Sequence, residues 1–213
     1  MRVLRILSPA IVIALCSPLS VFGATPSFDC AKAKSSVETL VCTDEELAKL
    51  DREIARLFVL VRNVLRPTPS RLPELIGTQR GWIRARDDCW RQADARVCVL
   101  ETYAIRIHEL REGYAVARAQ APESISKGPM FVECRDFESV ISATFIQTDL
   151  PIVLLTWGNM NRLVLTLGPS GSGARYIGKD GNNREVVFWD KGPEALFELP
   201  GRSQLMCQVR TAG

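Results

Sequence analysis

Histidine is almost missing from this chain: His108 is the only one in 213 residues. It falls in a helical pattern, where a lone histidine is read as structural or solvated. No two cysteines stand in a C-x-x-C spacing, so the usual zinc arrangements are lacking and no metal or cofactor is expected. Basic runs are lacking too, which removes the phosphate-tracking surface of a nucleic-acid binder. The apolar stretch from Ile6 to Cys16 is too short to cross a bilayer as a permanent helix.

What the first residues do carry is an export pattern. Arg2 and Arg5 form a basic start, the apolar stretch follows, and Val21-Phe22-Gly23 offers a peptidase site. Residues 1–23 are therefore expected to be a cleaved signal peptide, and the mature protein to be periplasmic. The competing reading is a lipid anchor on Cys16. Lipoprotein signals need a small residue just before that cysteine, and Leu15 stands there, so the soluble form is preferred. The net charge is +3, of which the signal carries Arg2 and Arg5, leaving +1 on the mature chain. Hydrophobic residues make up 46%, enough for a packed core.

Six cysteines remain after the signal: Cys30, Cys42, Cys89, Cys98, Cys134 and Cys207. An even number in an exported chain reads as a disulfide framework. Cys30 and Cys42 bracket the start of a long helical pattern, and Cys89 and Cys98 bracket a turn between two others. Local pairs at both places are the simplest connectivity.

Residues 24–118 read as a small antiparallel helical bundle. The clearest helix is expected over 44–66, with Leu47, Leu50, Ile54, Leu57, Val61 and Val64 three and four apart on one face. Thr43 and Glu46 form a capping-box pattern at its start, and Pro67, Pro69 and Pro73 stop it. A second helix carries Leu75, Ile76, Trp82 and Ile83 and ends near Cys89. A third carries Val97, Leu100, Ala104, Ile107 and Tyr114.

Residues 119–129 (AQAPESISKGP) have linker composition, which implies separable domains. From 130 to 213 the period changes to two. Ile141, Ala143 and Phe145 alternate with Ser142 and Thr144, and Leu163, Leu165 and Leu167 follow a similar rule. Gly158-Asn159 and Asp180-Gly181-Asn182-Asn183 are hairpin signals. Short strands in this number suggest a small antiparallel barrel or sandwich, with Cys134 and Cys207 tying first strand to last. The fold class expected is thus α+β in two domains.

Two segments of the β-region carry a resemblance: Ser172-Gly173-Ala174-Arg175-Tyr176, and Val187-Phe188-Trp189-Asp190-Lys191-Gly192-Pro193-Glu194-Ala195. With Cys134 and Cys207 around them, they resemble the MliC/PliC family of membrane-bound and periplasmic inhibitors of c-type lysozyme. That family has an SGxxY motif, then Tyr-x-x-x-Thr-Lys-Gly, then a terminal cysteine. Here Val186 stands where the second motif has tyrosine and Asp190 where it has threonine, and residues 176–186 read as long and hydrophilic. The helical half resembles the LprI-type lysozyme-inhibitor domain. Phe28-Asp29-Cys30-Ala31-Lys32, Val41-Cys42, Leu50-Asp51, Gln79-Arg80-Gly81-Trp82, Arg86-Asp87-Asp88-Cys89, Cys98 and Tyr103 carry that likeness.

The resemblance implies binding of c-type lysozyme and no catalysis. Such a lysozyme places two carboxylates about the scissile bond, so an inhibitor needs a cation that reaches into the cleft and a hydrogen-bonding group beside it. Lys191 suits the first role, with Gly192-Pro193 implying a turn that holds it outward. Ser172 suits the second, with Gly173 permitting close backbone approach. Tyr176 is read as a supporting residue and Trp189 as a structural one.

Enzyme motifs fail on inspection. Ser124-Ile125-Ser126-Lys127 matches S-x-x-K without its companion motifs. The run 168–173 is glycine-rich but lacks the Gly-Lys-[Ser/Thr] ending of a phosphate loop. If the six cysteines are paired, no thiol nucleophile remains. The alternative function is an envelope structural or adaptor protein that binds another envelope component through its helices.

Overall fold

The computed structural model describes residues 25–66, 70–119 and 121–211. The expected signal peptide, Cys16 and two of the helix-stopping prolines, Pro67 and Pro69, lie outside them. Among the described residues, five α-helices precede eight strands. The helices are α1 (Ser36–Thr43), α2 (Glu45–Leu65), α3 (Leu72–Asp87), α4 (Ala95–Gly113) and the single turn α5 (Ala115–Arg118). Among the described residues no helix is long and apolar enough to cross a membrane.

The long helix starts one residue later than its sequence pattern, for a local reason. The capping box belongs to α1, where Ser35 Oγ accepts from Glu38 N at 3.0 Å and Glu38 Oε2 accepts from Ser35 N at 3.3 Å. Thr43 closes that helix, its hydroxyl donating back to the carbonyls of Thr39 and Leu40. Asp44 then caps α2, accepting from Leu47 N at 3.0 Å. On α2 the buried face is Leu47, Leu50, Ile54, Leu57, Val61 and Leu65, whereas Val64 is 54% exposed. Pro73 sits in the first turn of α3, where its missing N–H costs nothing.

A polar network runs through the centre of the bundle. Tyr103 Oη donates to Asp51 Oδ1 at 2.8 Å, and Ser27 N donates to Asp51 Oδ2 at 2.7 Å. Arg86 lies 3.8 Å from Asp51 and 2.7 Å from Asp87. The Trp82 indole donates to Thr102 O at 2.9 Å and meets the Tyr103 ring edge-on at 5.3 Å. Burial pushes the Tyr103 phenol up, so it stays a neutral donor. Two disulfides, Cys30–Cys42 and Cys89–Cys98, staple the outer turns.

The strands are β1 (Ser126–Cys134), β2 (Ile141–Ile146), β3 (Ile152–Trp157), β4 (Asn161–Gly168), β5 (Ala174–Lys179), β6 (Glu185–Asp190), β7 (Glu194–Glu198) and β8 (Leu205–Thr211). Each pairs antiparallel with the next, and β8 pairs with β1, closing an eight-stranded barrel with no free edge. Cys134 and Cys207 face each other across that closing seam and form the third disulfide. Val132, Ala143, Phe145, Leu155, Tyr176, Phe188 and Phe197 fill the interior with their neighbours.

The barrel is not detached from the helices. All six residues of β2 are buried, because the outer face that carries Ser142, Thr144 and Ile146 is itself covered. Ile146 and Ile152 belong to the helical core, with Val164 packed against it. Helix α4 lies between the other helices and the barrel, which is why Arg106, His108 and Arg111 are buried on it while Val97 is 46% exposed. β1 begins at Ser126, inside the stretch that reads as a linker. Ser124 and Ser126 donate to Glu53 of α2, and Arg111 donates to Gly128 O at 2.7 Å and Ser126 Oγ at 3.2 Å. Burial holds the Arg111 guanidinium down to about 10, with Glu53 pulling it back up. His108 joins the same seam, with Nδ1 2.8 Å from Thr144 Oγ1 and Nε2 3.2 Å from Thr156 Oγ1.

Candidate functional site

The residues singled out in the β-region come together on two loops. Residues 169–173 connect β4 to β5, and residues 191–193 connect β6 to β7. Because β5 and β6 are paired, with Ala174 opposite Asp190, both loops leave the same end of the sheet side by side. Helices pack against β1 to β4, so these loops lie around the barrel from the helical region.

Two glycines shape the pair of loops, each for a different reason. Gly173 has φ +65°, and a Cβ there would stand 2.4 Å from Asp190 O and 3.4 Å from Trp189 Nε1. Both backbone conformation and lack of space exclude a side chain. Gly192 has φ +89° with open space around it, so conformation alone selects glycine. Asp190, the residue that replaces the motif threonine, closes this turn by accepting from Gly192 N at 2.9 Å. Lys191 N donates to Glu194 O at 2.9 Å on the other side.

Ser172 is exposed. Its carbonyl accepts from Ser170 Oγ at 2.6 Å and from the Trp189 indole N–H at 2.8 Å. Its own hydroxyl takes no part in those bonds. Lys191 is exposed as well, with its ammonium 4.2 Å from the centre of the Trp189 ring. A small recess of 220 Å³ beside it is lined by Glu133, Arg135, Glu194 and Met206. Tyr176, by contrast, is 4% exposed and points into the barrel, where it packs on Phe145 at 5.8 Å. Burial, and then the charge of Asp190, push its phenol up. It stands on β5, three residues after Gly173.

The remaining differences from the motif fall inside the barrel or at its far end. Val186, in the tyrosine position, is fully buried in the core, so that exchange alters packing and not the exposed surface. Residues 176–186 form no long loop. β5 and β6 meet in a tight hairpin in which Asp180 accepts from Asn182 N, Arg184 N and Arg184 Nε, all at 2.9 Å. These bonds, led by the one from the Arg184 backbone, hold the Asp180 carboxyl below its usual range.

Trp189 is the residue that periodicity did not place here. On β6, Val186 and Phe188 face the core, which turns Trp189 to the outer wall. The signal was available: two residues before Lys191, it shares that lysine's face.

Comparison with known proteins divides the chain in the same place. Residues 132–206 match the model of the family described as membrane-bound lysozyme-inhibitor of c-type lysozyme. Residues 30–120 match the model described as lysozyme inhibitor LprI. Proteins named Lipoprotein LprI from Mycobacterium tuberculosis and Mycobacterium bovis are 29% identical over 207 residues, covering 94% of this chain and 96% of theirs. No solved structure matches. The LprI match falls on the helical region and the match to the c-type lysozyme inhibitors on the barrel, each where its motifs stand in the sequence.

Proposed function

We propose that the protein is an exported inhibitor of c-type lysozyme whose barrel inserts Lys191 and the Ser172 loop into the enzyme's cleft. The observation that carries this reading is the pairing of β5 with β6, which sets an exposed lysine and an exposed serine loop together. A cleft built around two carboxylates attracts a lysine ammonium, and removing water from that contact strengthens it. Gly173 and Gly192 keep both loops slender enough to enter, and Tyr176 holds the strand beneath them. No side-chain nucleophile or acid–base pair of this chain is needed, because inhibition requires only occupancy of the cleft.

The two matched families, both described as lysozyme inhibitors, support the reading, as does coverage of nearly the whole chain by the mycobacterial relatives. The name those relatives carry bears on the anchor: a lipid on Cys16 and a free periplasmic form both leave the barrel outside the inner membrane. The mass of the mature amino terminus separates them. The test of function is a lysozyme turbidity assay with purified mature protein, in which added protein slows cell-wall lysis in proportion to its concentration. Lysis that continues unchanged at a large excess of folded protein rejects inhibition and favours the adaptor reading.

A further inference from the structure

We infer that Trp189 is a positioning residue that orders both inhibitory loops at once, an inference that rests on the proposed lysozyme-binding role. The Trp189 side chain touches both loops. Its indole N–H holds the Ser172 carbonyl at 2.8 Å, and its ring carries the Lys191 ammonium at 4.2 Å. The barrel core does not require it, since Val186 and Phe188 supply the inward face of β6 and Trp189 stands half-buried on the outer wall. Gly173 lies directly against this arrangement: a Cβ there would clash with Asp190 O at 2.4 Å and would stand 3.4 Å from the indole nitrogen.

The physical consequence is preorganisation. A free lysine on a turn samples many rotamers, and a glycine-rich loop samples many backbone states, so both lose freedom on docking. Resting the ammonium on an aromatic face and tying the serine carbonyl to the same ring removes part of that loss beforehand. The ring also leaves the outer side of the ammonium open to carboxylates.

The experiment is a double-mutant cycle on lysozyme affinity, using full-length mature protein. Trp189→Leu removes ring and donor, and Trp189→Phe keeps a ring without the N–H. Trp189→Leu should weaken binding about tenfold, the size expected for releasing one ordered lysine and one loop. Trp189→Phe should recover part of that loss. In a Lys191→Ala background, Trp189→Leu should cost clearly less than in the parent, because only the Ser172 half of its work remains. The Lys191 ε-methylene protons should be shifted upfield by the ring in the parent spectrum and should return to ordinary positions in Trp189→Leu, while the melting temperature stays near the parent's. A weakened Lys191→Ala beside an unaffected, or strictly additive, Trp189→Leu overturns this inference alone. A folded Lys191→Ala that binds as well as the parent overturns the proposed function and this inference with it.

Discussion

The two regions carry their recognisable residues in opposite places. In the helical region Asp51, Arg86 and Tyr103 are at most about a twentieth exposed and bond to one another, with Trp82 against them. In the barrel Ser172, Gly173, Lys191 and Gly192 are exposed on loops, and only Tyr176 points inward. A signature made of buried polar residues reports how a fold is held, because each member satisfies another and none can be exchanged singly. A signature on loops reports what a surface must present. The likeness of the helical region to the LprI model is therefore evidence about architecture first, and that of the barrel to the inhibitor model about recognition.

Breaking the inner network should give the largest effect. Asp51→Ala strips the Tyr103 hydroxyl and the Ser27 N–H of their acceptor and removes one of the two carboxylates beside buried Arg86, which keeps Asp87; together these losses should cost about 3–5 kcal/mol of stability. Tyr103→Phe should cost less, about 1–3 kcal/mol. Urea unfolding measures both, and the folded fraction should keep the parent's lysozyme affinity. A stable Asp51→Ala protein with lost inhibition would put the recognition surface on the helices and reverse the comparison.

The exposed signature should behave the other way. Lys191→Ala should cost about 2–5 kcal/mol of binding by stranding the lysozyme carboxylates, and Ser172→Ala about 1–3 kcal/mol, with melting temperatures unchanged. Lys179 and Arg184 serve as controls, since they flank the β5–β6 hairpin at the far end of the sheet, and their alanine variants should bind like the parent. Isothermal titration against lysozyme measures all four, and loss at the controls equal to that at Lys191 would show general charge attraction in place of a plug.

Period-two alternation and turn residues made the barrel strands, the hairpins at Gly158 and Asp180, and the two motif loops legible in sequence. Helical spacing located α2 and its core face. What stayed hidden depends on contacts distant in sequence. The spacing rule puts Val64 and Leu65 equally near the stripe, and only packing decides that Leu65 is covered. Ser142 and Thr144 read as solvent-facing, yet the helical region covers them. The stretch 119–129 has linker composition because it is polar, but the hydroxyls of Ser124 and Ser126 are there to meet Glu53 and Arg111. Trp189 reads as structural because an aromatic in a strand usually packs, and its two polar contacts come from loops on either side.

That hidden seam between the regions makes the smallest and most specific prediction. His108 is 3% exposed, between α4 and the barrel wall. Burial lowers its pKa from the ordinary value of 6.5, against the pull of Glu112 and Glu109 on its own helix. The barrel side offers the Thr144 and Thr156 hydroxyls to its ring, and Arg162 lines the same groove. A histidine depressed in the folded state binds its proton more readily when unfolded, so the unfolded form carries more protons as pH falls below about 6.5. The stability that neutral His108 contributes is thus present above that pH and is lost as pH drops through the folded value. Unfolding free energy measured from pH 7.5 down to 5 should decline, and His108→Gln, which keeps a hydrogen-bonding side chain without the titration, should flatten that part of the curve. A variant that declines as steeply as the parent would show that the seam is insensitive to this proton, and that carboxylates elsewhere set the slope.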